Sequence, residues 1–215
     1  AAASWPTRWS SCWPACRAPA ACTVEAVEAA AGQGRGAVLR NINATALGAS
    51  SSPRVFAILT TGSGPLASNE LFFSATDGAS GEELWKTDGT EAGTVRVKDI
   101  NTGPGASSSP RELTLFNGAL YFRANDSTSG PELWKTNGTE AGTVRVRDIN
   151  ATVGVGSSPD AFTVLNGALY FSANDGVNGR ELWKTDGTEA GTAMVRDINA
   201  TVAGAGSSPY AFTAL

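Results

Sequence analysis

Carboxylates recur at fixed spacing in this sequence, and they are the first groups to test for chemistry. Asp77 and Glu83 lie in "TDGASGEE", and Asp175 and Glu181 lie in "NDGVNGRE". Each stretch puts acidic oxygens on a glycine-bearing turn, which is ligand chemistry of the calcium type. Calcium takes about six to eight oxygens, and the D-G-x-x-G-x-E spacing lacks the alternating ligands of an EF-hand loop. In the middle of the chain Asp126 is kept, but Ser127 replaces the glycine. The four residues are therefore calcium candidates with a short ligand set, and no other cofactor is implied. Two carboxylates about 5 to 10 Å apart would also suit glycoside hydrolysis. Here, however, each carboxylate returns unchanged from unit to unit, as scaffold residues do. The chain has no His, so no Ser/His or Cys/His pair can form. We expect no enzyme.

Asparagines form the second series. Asn43, Asn150 and Asn199 each begin an Asn-Ala-Thr sequon, and Asn125 and Asn137 begin two more. Sequons in surface loops point to N-linked glycans on a secreted protein. Cys12, Cys16 and Cys22 are the only cysteines, all near the start. Their spacing does not complete a zinc ribbon, so they form one disulfide with a leftover thiol, or stay reduced.

The elements that carry these residues are repeats. "ELWKTDGTEAGT" begins at Glu83 and Glu181, and "ELWKTNGTEAGT" begins at Glu132. Trp85, Trp134 and Trp183 are 49 residues apart, and "SSP" recurs at Ser51, Ser108, Ser157 and Ser207. Within a unit the hydrophobic period is two. "AFTVLNGALYFSAND" reads as two strands around an Asn-Gly hairpin turn. "RELWKT" reads as a third strand and "TAMVRDI" as a fourth. Four short antiparallel strands per unit predict one blade of a β-propeller, with a β-solenoid as the competing repeat fold. The first unit is longer by residues within 60–69, where later units have only the Asn-Gly turn.

Alternation gives the recurrent block a structural reading. Leu84, Leu133 and Leu182 face one neighbouring blade, and Trp85, Trp134 and Trp183 face the other. Asp88 and Asp186 accept backbone N–H groups in the turn, a role Asn137 can also fill.

"ELWKTDGTEAGT" followed by "VRVKDIN", "SSP" and "LYFSAND" resembles the ELWxxDGT repeat family of bacterial and algal proteins, related to hyalin-type repeats. The resemblance covers residues 38–215. It implies large secreted or surface proteins with propeller-like repeats and no established catalytic residues.

Residues 1–36 form a separate Ala-, Trp- and Cys-rich arm. Trp5, Trp9 and Trp13 would share a helical face, although Pro6 and Pro14 interrupt it. Residues 23–34 predict a short helix, capped by Thr23 and stopped at Gly32. The repeat array occupies 37–215. It opens on "AVLRNIN", the pattern of a fourth strand, and closes on "YAFTAL", the pattern of a first. The chain thus predicts three full units with partial ends, an incomplete or open ring. Either this is a piece of a longer repeat protein, or its open edge, ending at Leu215, pairs with the next subunit to build a homo-oligomer or filament.

Net charge is -4 and the isoelectric point about 4.9, so there is no basic field for nucleic acid. No apolar run is long enough to span a membrane. The expected protein is a non-enzymatic extracellular or cell-surface structural glycoprotein, with a carbohydrate- or protein-binding adhesive propeller as the alternative.

Overall fold

The computed structural model describes residues 25–26, 37–38, 40–45, 49–61, 68–202 and 204–213. Among these residues the chain is all-β. β1 (Glu25–Ala26) and β2 (Ala37–Val38) form a two-stranded antiparallel pair. Three four-stranded antiparallel meanders follow. The first contains β3 (Arg54–Thr61), β4 (Ser68–Thr76), β5 (Glu82–Thr87) and β6 (Val95–Lys98). The second contains β7 (Arg111–Phe116), β8 (Ala119–Asn125), β9 (Pro131–Thr136) and β10 (Val144–Arg147). The third contains β11 (Asp160–Leu165), β12 (Ala168–Asn174), β13 (Arg180–Thr185) and β14 (Ala193–Arg196). No sheet closes on itself.

Local chemistry explains the hairpins. Asn117 and Gly118 have φ of 48° and 73°, and Asn166 and Gly167 have 48° and 74°. Two positive φ values make the tight turn whose twist matches the flanking strands, and Asn-Gly takes them at low cost. Each first strand carries an irregularity that sequence alternation hides. Pairing shifts register between Arg54 and Ala57, Arg111 and Thr114, and Asp160 and Thr163. Val55, Glu112 and Ala161 sit at positive φ there, a bulge that redirects the strand.

The core lies between units. One cluster joins Leu59, Phe72, Leu84 and Val97 of the first unit to Leu120, Phe122 and Trp134 of the second. A second joins Phe116, Tyr121, Leu133 and Val146 to Leu169, Phe171 and Trp183. A third places Ile42 against Phe73, Ala75 and Trp85. The leucine side of each sheet thus meets the tryptophan side of the next. β7 touches β3 on one side and β11 on the other, so the first strands of successive units lie together.

Three expectations are corrected. The helix expected over 23–34 is absent at Glu25–Ala26, which pair with Ala37–Val38 instead. A short isolated helix gains little from its own hydrogen bonds, and strand pairing supplies partners it lacks. "AVLRNIN" is not a unit's fourth strand: among its described residues Ala37–Val38 are extended, and they pair with β1 rather than with a third strand. Residues 210–213 form no strand, because a first strand needs a second strand to pair with. Trp5, Trp9, Trp13, Cys12, Cys16, Cys22 and Leu215, for which the sequence raised expectations, lie outside the described residues.

Candidate functional site

The feature common to all units is a buried glutamate on the third strand. Glu83, Glu132 and Glu181 have no accessible surface. Strand alternation sends each to the same buried face as its tryptophan, where an unpaired carboxylate would be costly. Donors from the loop to the next unit meet it. Glu83 Oε1 accepts the Ser108 N–H at 2.8 Å, and Oε2 accepts the Ile100 N–H at 3.1 Å and the Ser108 hydroxyl at 2.5 Å. Glu132 accepts the N–H groups of Ile149 (3.3 Å), Asn150 (3.2 Å) and Ser157 (2.7 Å), and the Ser157 hydroxyl at 2.6 Å. Glu181 takes Ile198, Ser207 and the Ser207 hydroxyl in the same way. The glutamate is the clamp that closes each inter-unit loop.

Burial sets the charge state of these clamps. It pushes Glu83 up to about 7 against the pull of its hydrogen bonds, and nearby Asp99 adds to the rise. Glu132 is also raised, again chiefly by burial. For Glu181 burial still opposes the charge, but the Ser207 and backbone donors win and its pKa falls below the usual value. The physical difference is that the first and second units are each covered by a following sheet, whereas solvent lies close behind the third.

The second element is the Asp-Gly-Thr turn. Asp88 Oδ1 accepts the N–H and hydroxyl of Thr90, and the Thr90 hydroxyl oxygen accepts the Gly93 N–H. Thr87 and Thr94 exchange a buried hydroxyl bond at 2.8 Å, and Thr94 also donates to the Thr90 carbonyl. Asn137 and Asp186 repeat the pattern. A Cβ on Gly93 would overlap the Asp88 carboxylate, and one on Gly191 the Asp186 carboxylate. Bonding to Thr90 lowers the pKa of Asp88 and bonding to Thr188 that of Asp186.

The third element is a row of cations that cross between units. Arg40 donates to the Thr94 carbonyl at 2.6 Å, Lys98 to Thr143 at 2.9 Å and Arg147 to Thr192 at 2.6 Å. Each precedes a unit and holds the turn of that unit; Lys98 and Arg147 do so from the end of the unit before it.

The calcium candidates are occupied differently from a cation site. Asp77 Oδ1 accepts the N–H groups of Ala79 and Ser80, and Oδ2 faces Arg96 at 3.4 Å. Asp175 accepts Val177 and Asn178 N–H and the Asn178 side-chain amide. Glu83 and Glu181 face serine and backbone donors. The structure does not bring Asp77 and Glu83, or Asp175 and Glu181, onto a shared centre, and no group of three acidic, His or Cys residues that could hold a metal occurs among the described residues.

The loop sequons also have structural work. Asn43 is buried and its Nδ2 donates to the Ser50 carbonyl at 3.0 Å. Asn150 is buried and donates to the Gly156 carbonyl at 3.3 Å. A sugar on either nitrogen would have to break that bond. Asn101, which is no sequon, makes the same bond to Ser107. Asn137 is exposed, while Asn125 and Asn199 are partly exposed.

Leu84, Leu133, Trp85, Trp134 and Trp183 are buried in the inter-unit clusters or against Ile42, whereas Leu182 is only partly covered. The three indole Nε1–H groups have no acceptor among the described residues, so tryptophan contributes here through apolar area. Among the described residues are open grooves of about 390 and 450 Å³. One is lined by Arg54, Thr76, Glu82 and Ser107, and the other by Tyr121, Lys135, Asn137 and Asp186. Their carboxylates are already engaged, Glu82 by Arg111 and the Ser74 hydroxyl and Asp186 by Thr188.

Sequence reasoning missed the roles of Glu132, the SSP serines and the Arg40, Lys98, Arg147 series. A signal for the first two was present, since each glutamate precedes its serine by 25 or 26 residues. No family model matches the chain, and no curated protein and no solved structure is similar to it.

Proposed function

We propose that the chain is a non-enzymatic structural repeat protein of the ELWxxDGT type, a section of an extracellular or cell-surface array with propeller-like packing. The observation that carries this reading is the joint between units, which is made twice from the same parts. Leu84, Val97 and Ile100 pack with Trp134, and Leu133, Val146 and Ile149 pack with Trp183. A cation bonded to the next turn accompanies each joint. The conspicuous carboxylates of the repeat are consumed in clamping loops and turns, which supports a structural rather than a catalytic role. The proximity of β3, β7 and β11 supports the propeller-like arrangement, in which first strands line a common axis. Exposed Asn137 is the acceptor best suited to a glycan.

Electron microscopy and light scattering of the purified chain test this reading. Ordered rings, filaments or sheets are expected. A monodisperse monomer at every concentration overturns the assembling role. A mass unchanged by glycosidase treatment of the natural product overturns the glycoprotein assignment.

A further inference from the structure

The turn of the second unit differs from its counterparts in one atom that matters. Where Asp88 and Asp186 stand it has Asn137, and Asn137-Gly138-Thr139 is a sequon that Asp-Gly-Thr is not. The turn fixes the orientation of the amide. Asn137 Oδ1 accepts the Thr139 N–H at 3.1 Å and the Thr139 hydroxyl at 2.7 Å. Oδ1 of Asp88 and of Asp186 accepts the same two bonds. Asn137 Nδ2 has no acceptor among the described residues, and the residue is exposed. Asn43 and Asn150, by contrast, commit Nδ2 to carbonyls of their own loops.

Asn137 also borders the groove of about 450 Å³, a volume within the ~300–1,000 Å³ usual for small ligands. Its walls come from two units, with Ala119, Tyr121 and Lys135 from the second and Asp186 and Thr188 from the third. The preceding joint fills the same positions differently. Ala119 pairs with Phe116 as Glu70 pairs with Leu59, so alanine stands where the first unit has glutamate. Glu70 bonds Lys86 at 2.8 Å and lies against Gly138 of the next unit. With alanine at 119 that carboxylate is gone. Lys135, in the place of Lys86, donates instead to the Gly187 carbonyl at 2.8 Å. Thr188 holds only Oδ1 of Asp186 and lowers its pKa, so the carboxylate stays ionised. The groove therefore sets an ammonium donor and a carboxylate acceptor beside the apolar Ala119 and the 38% exposed Val144. Sugar hydroxyls both donate and accept, and a sugar ring has a less polar face, so this lining suits a saccharide.

We propose that Asn137 carries an N-linked glycan whose first sugar is seated in this groove, across the joint between the second and third units. The co-reactant is a glycosyl diphosphate donor, brought by a glycosyltransferase of the secretory route. A bond forms between Nδ2 and the anomeric carbon of the sugar, the anomeric C–O bond breaks, the diphosphate leaves with the bonding pair, and Nδ2 gives up one proton. The Thr139 bonds survive, since they end on Oδ1. The hydroxyls of the linked sugar meet Lys135 and Asp186 and tie the two units together. Asp88 and Asp186 offer no such nitrogen, so the other two turns stay bare. This inference rests on the glycoprotein reading above and names the acceptor's seat.

The full chain made in a eukaryotic secretory host tests this in two treated forms, after peptide mass spectrometry has located the glycans. An endoglycosidase trims the glycan to one sugar, and an amidase releases it whole and leaves aspartate at position 137. That aspartate is the residue of the other two turns, so the turn keeps its bonds and the comparison isolates the sugar. The one-sugar form is expected to have an unfolding equilibrium constant about tenfold smaller in urea, from one or two hydrogen bonds in the groove. Amide exchange at Gly187 and Thr188 should slow with it. Ala119→Glu puts back the carboxylate that fills the first joint and should abolish the difference. Equal stability and exchange in the two forms, or a difference that survives Ala119→Glu, overturns the seat and leaves the glycoprotein reading standing. Glycans found only at other asparagines overturn Asn137 as the acceptor with the same survival. No glycan on any asparagine overturns both.

Discussion

Replacing Glu132 with alanine separates a structural clamp from a decorative carboxylate. In the wild type three backbone N–H groups and one hydroxyl end on this side chain, and the residue is wholly buried. Truncation leaves the N–H groups of Ile149, Asn150 and Ser157 without acceptors. Each buried unsatisfied donor costs about 1–3 kcal/mol. The Ser157 hydroxyl can rotate to another acceptor, and removing a buried carboxylate recovers part of the charge-burial cost, which already raises the Glu132 pKa. The net expected loss is about 3–5 kcal/mol. Glu132→Gln keeps one acceptor oxygen but turns an amide NH2 toward the Ile149 N–H, and should cost about 1–3 kcal/mol. Urea unfolding gives both numbers, and amide hydrogen exchange gives the location. In either variant the amides of Ile149, Asn150 and Ser157 should lose protection before those of β8 and β9. A loss below about 1 kcal/mol for the alanine variant, with these three amides still protected, would refute the clamp.

Three further outcomes follow from the same geometry. Because the folded pKa of Glu83 is raised from 4.5 to about 7, its contribution to stability is full below pH 4.5 and is lost as pH climbs through 7. The loss is about 3 kcal/mol, and Glu83→Gln should flatten this part of the stability profile measured by urea titration. Trp134→Ala removes the largest side chain of the first joint and should cost about 3–5 kcal/mol in thermal or urea unfolding, whereas Ile58→Ala, at an exposed position, should stay within about 0.5 kcal/mol of wild type. Gly142→Ala drives a methyl into the Asn137 side chain; it should destabilise the turn by about 1–3 kcal/mol, and Asn137→Gly in the same chain should recover part of that loss in the same unfolding assay.

Much of the architecture was legible because it depends on local pattern. The period of two, the Asn-Gly turns and the 49-residue recurrence of tryptophan specify three four-stranded meanders without reference to distant residues. The Asp-Gly-Thr turn was legible for the same reason, since its bonds span two to four residues. The clamping role of Glu83 and Glu181 was hidden beside their standing as calcium candidates because their partners lie 17 to 26 residues away. Nothing near them in sequence shows that serine hydroxyls and N–H groups already surround them. The sequons hid a second role in the same way: in Asn-Ala-Thr the Nδ2 of Asn43 and of Asn150 bonds a carbonyl six or seven residues on, within its own loop.

The sequence alone determined the repeat, the strand order within a unit and the identity of the packing residues, since alternation and turn chemistry act over a few bonds. Only the tertiary structure decided which side of each sheet meets which, that the glutamates clamp loops, and that Asn137 and Asp186 border one groove. Those properties depend on what lies across a joint, and identical residues are buried or exposed according to whether a neighbour is present.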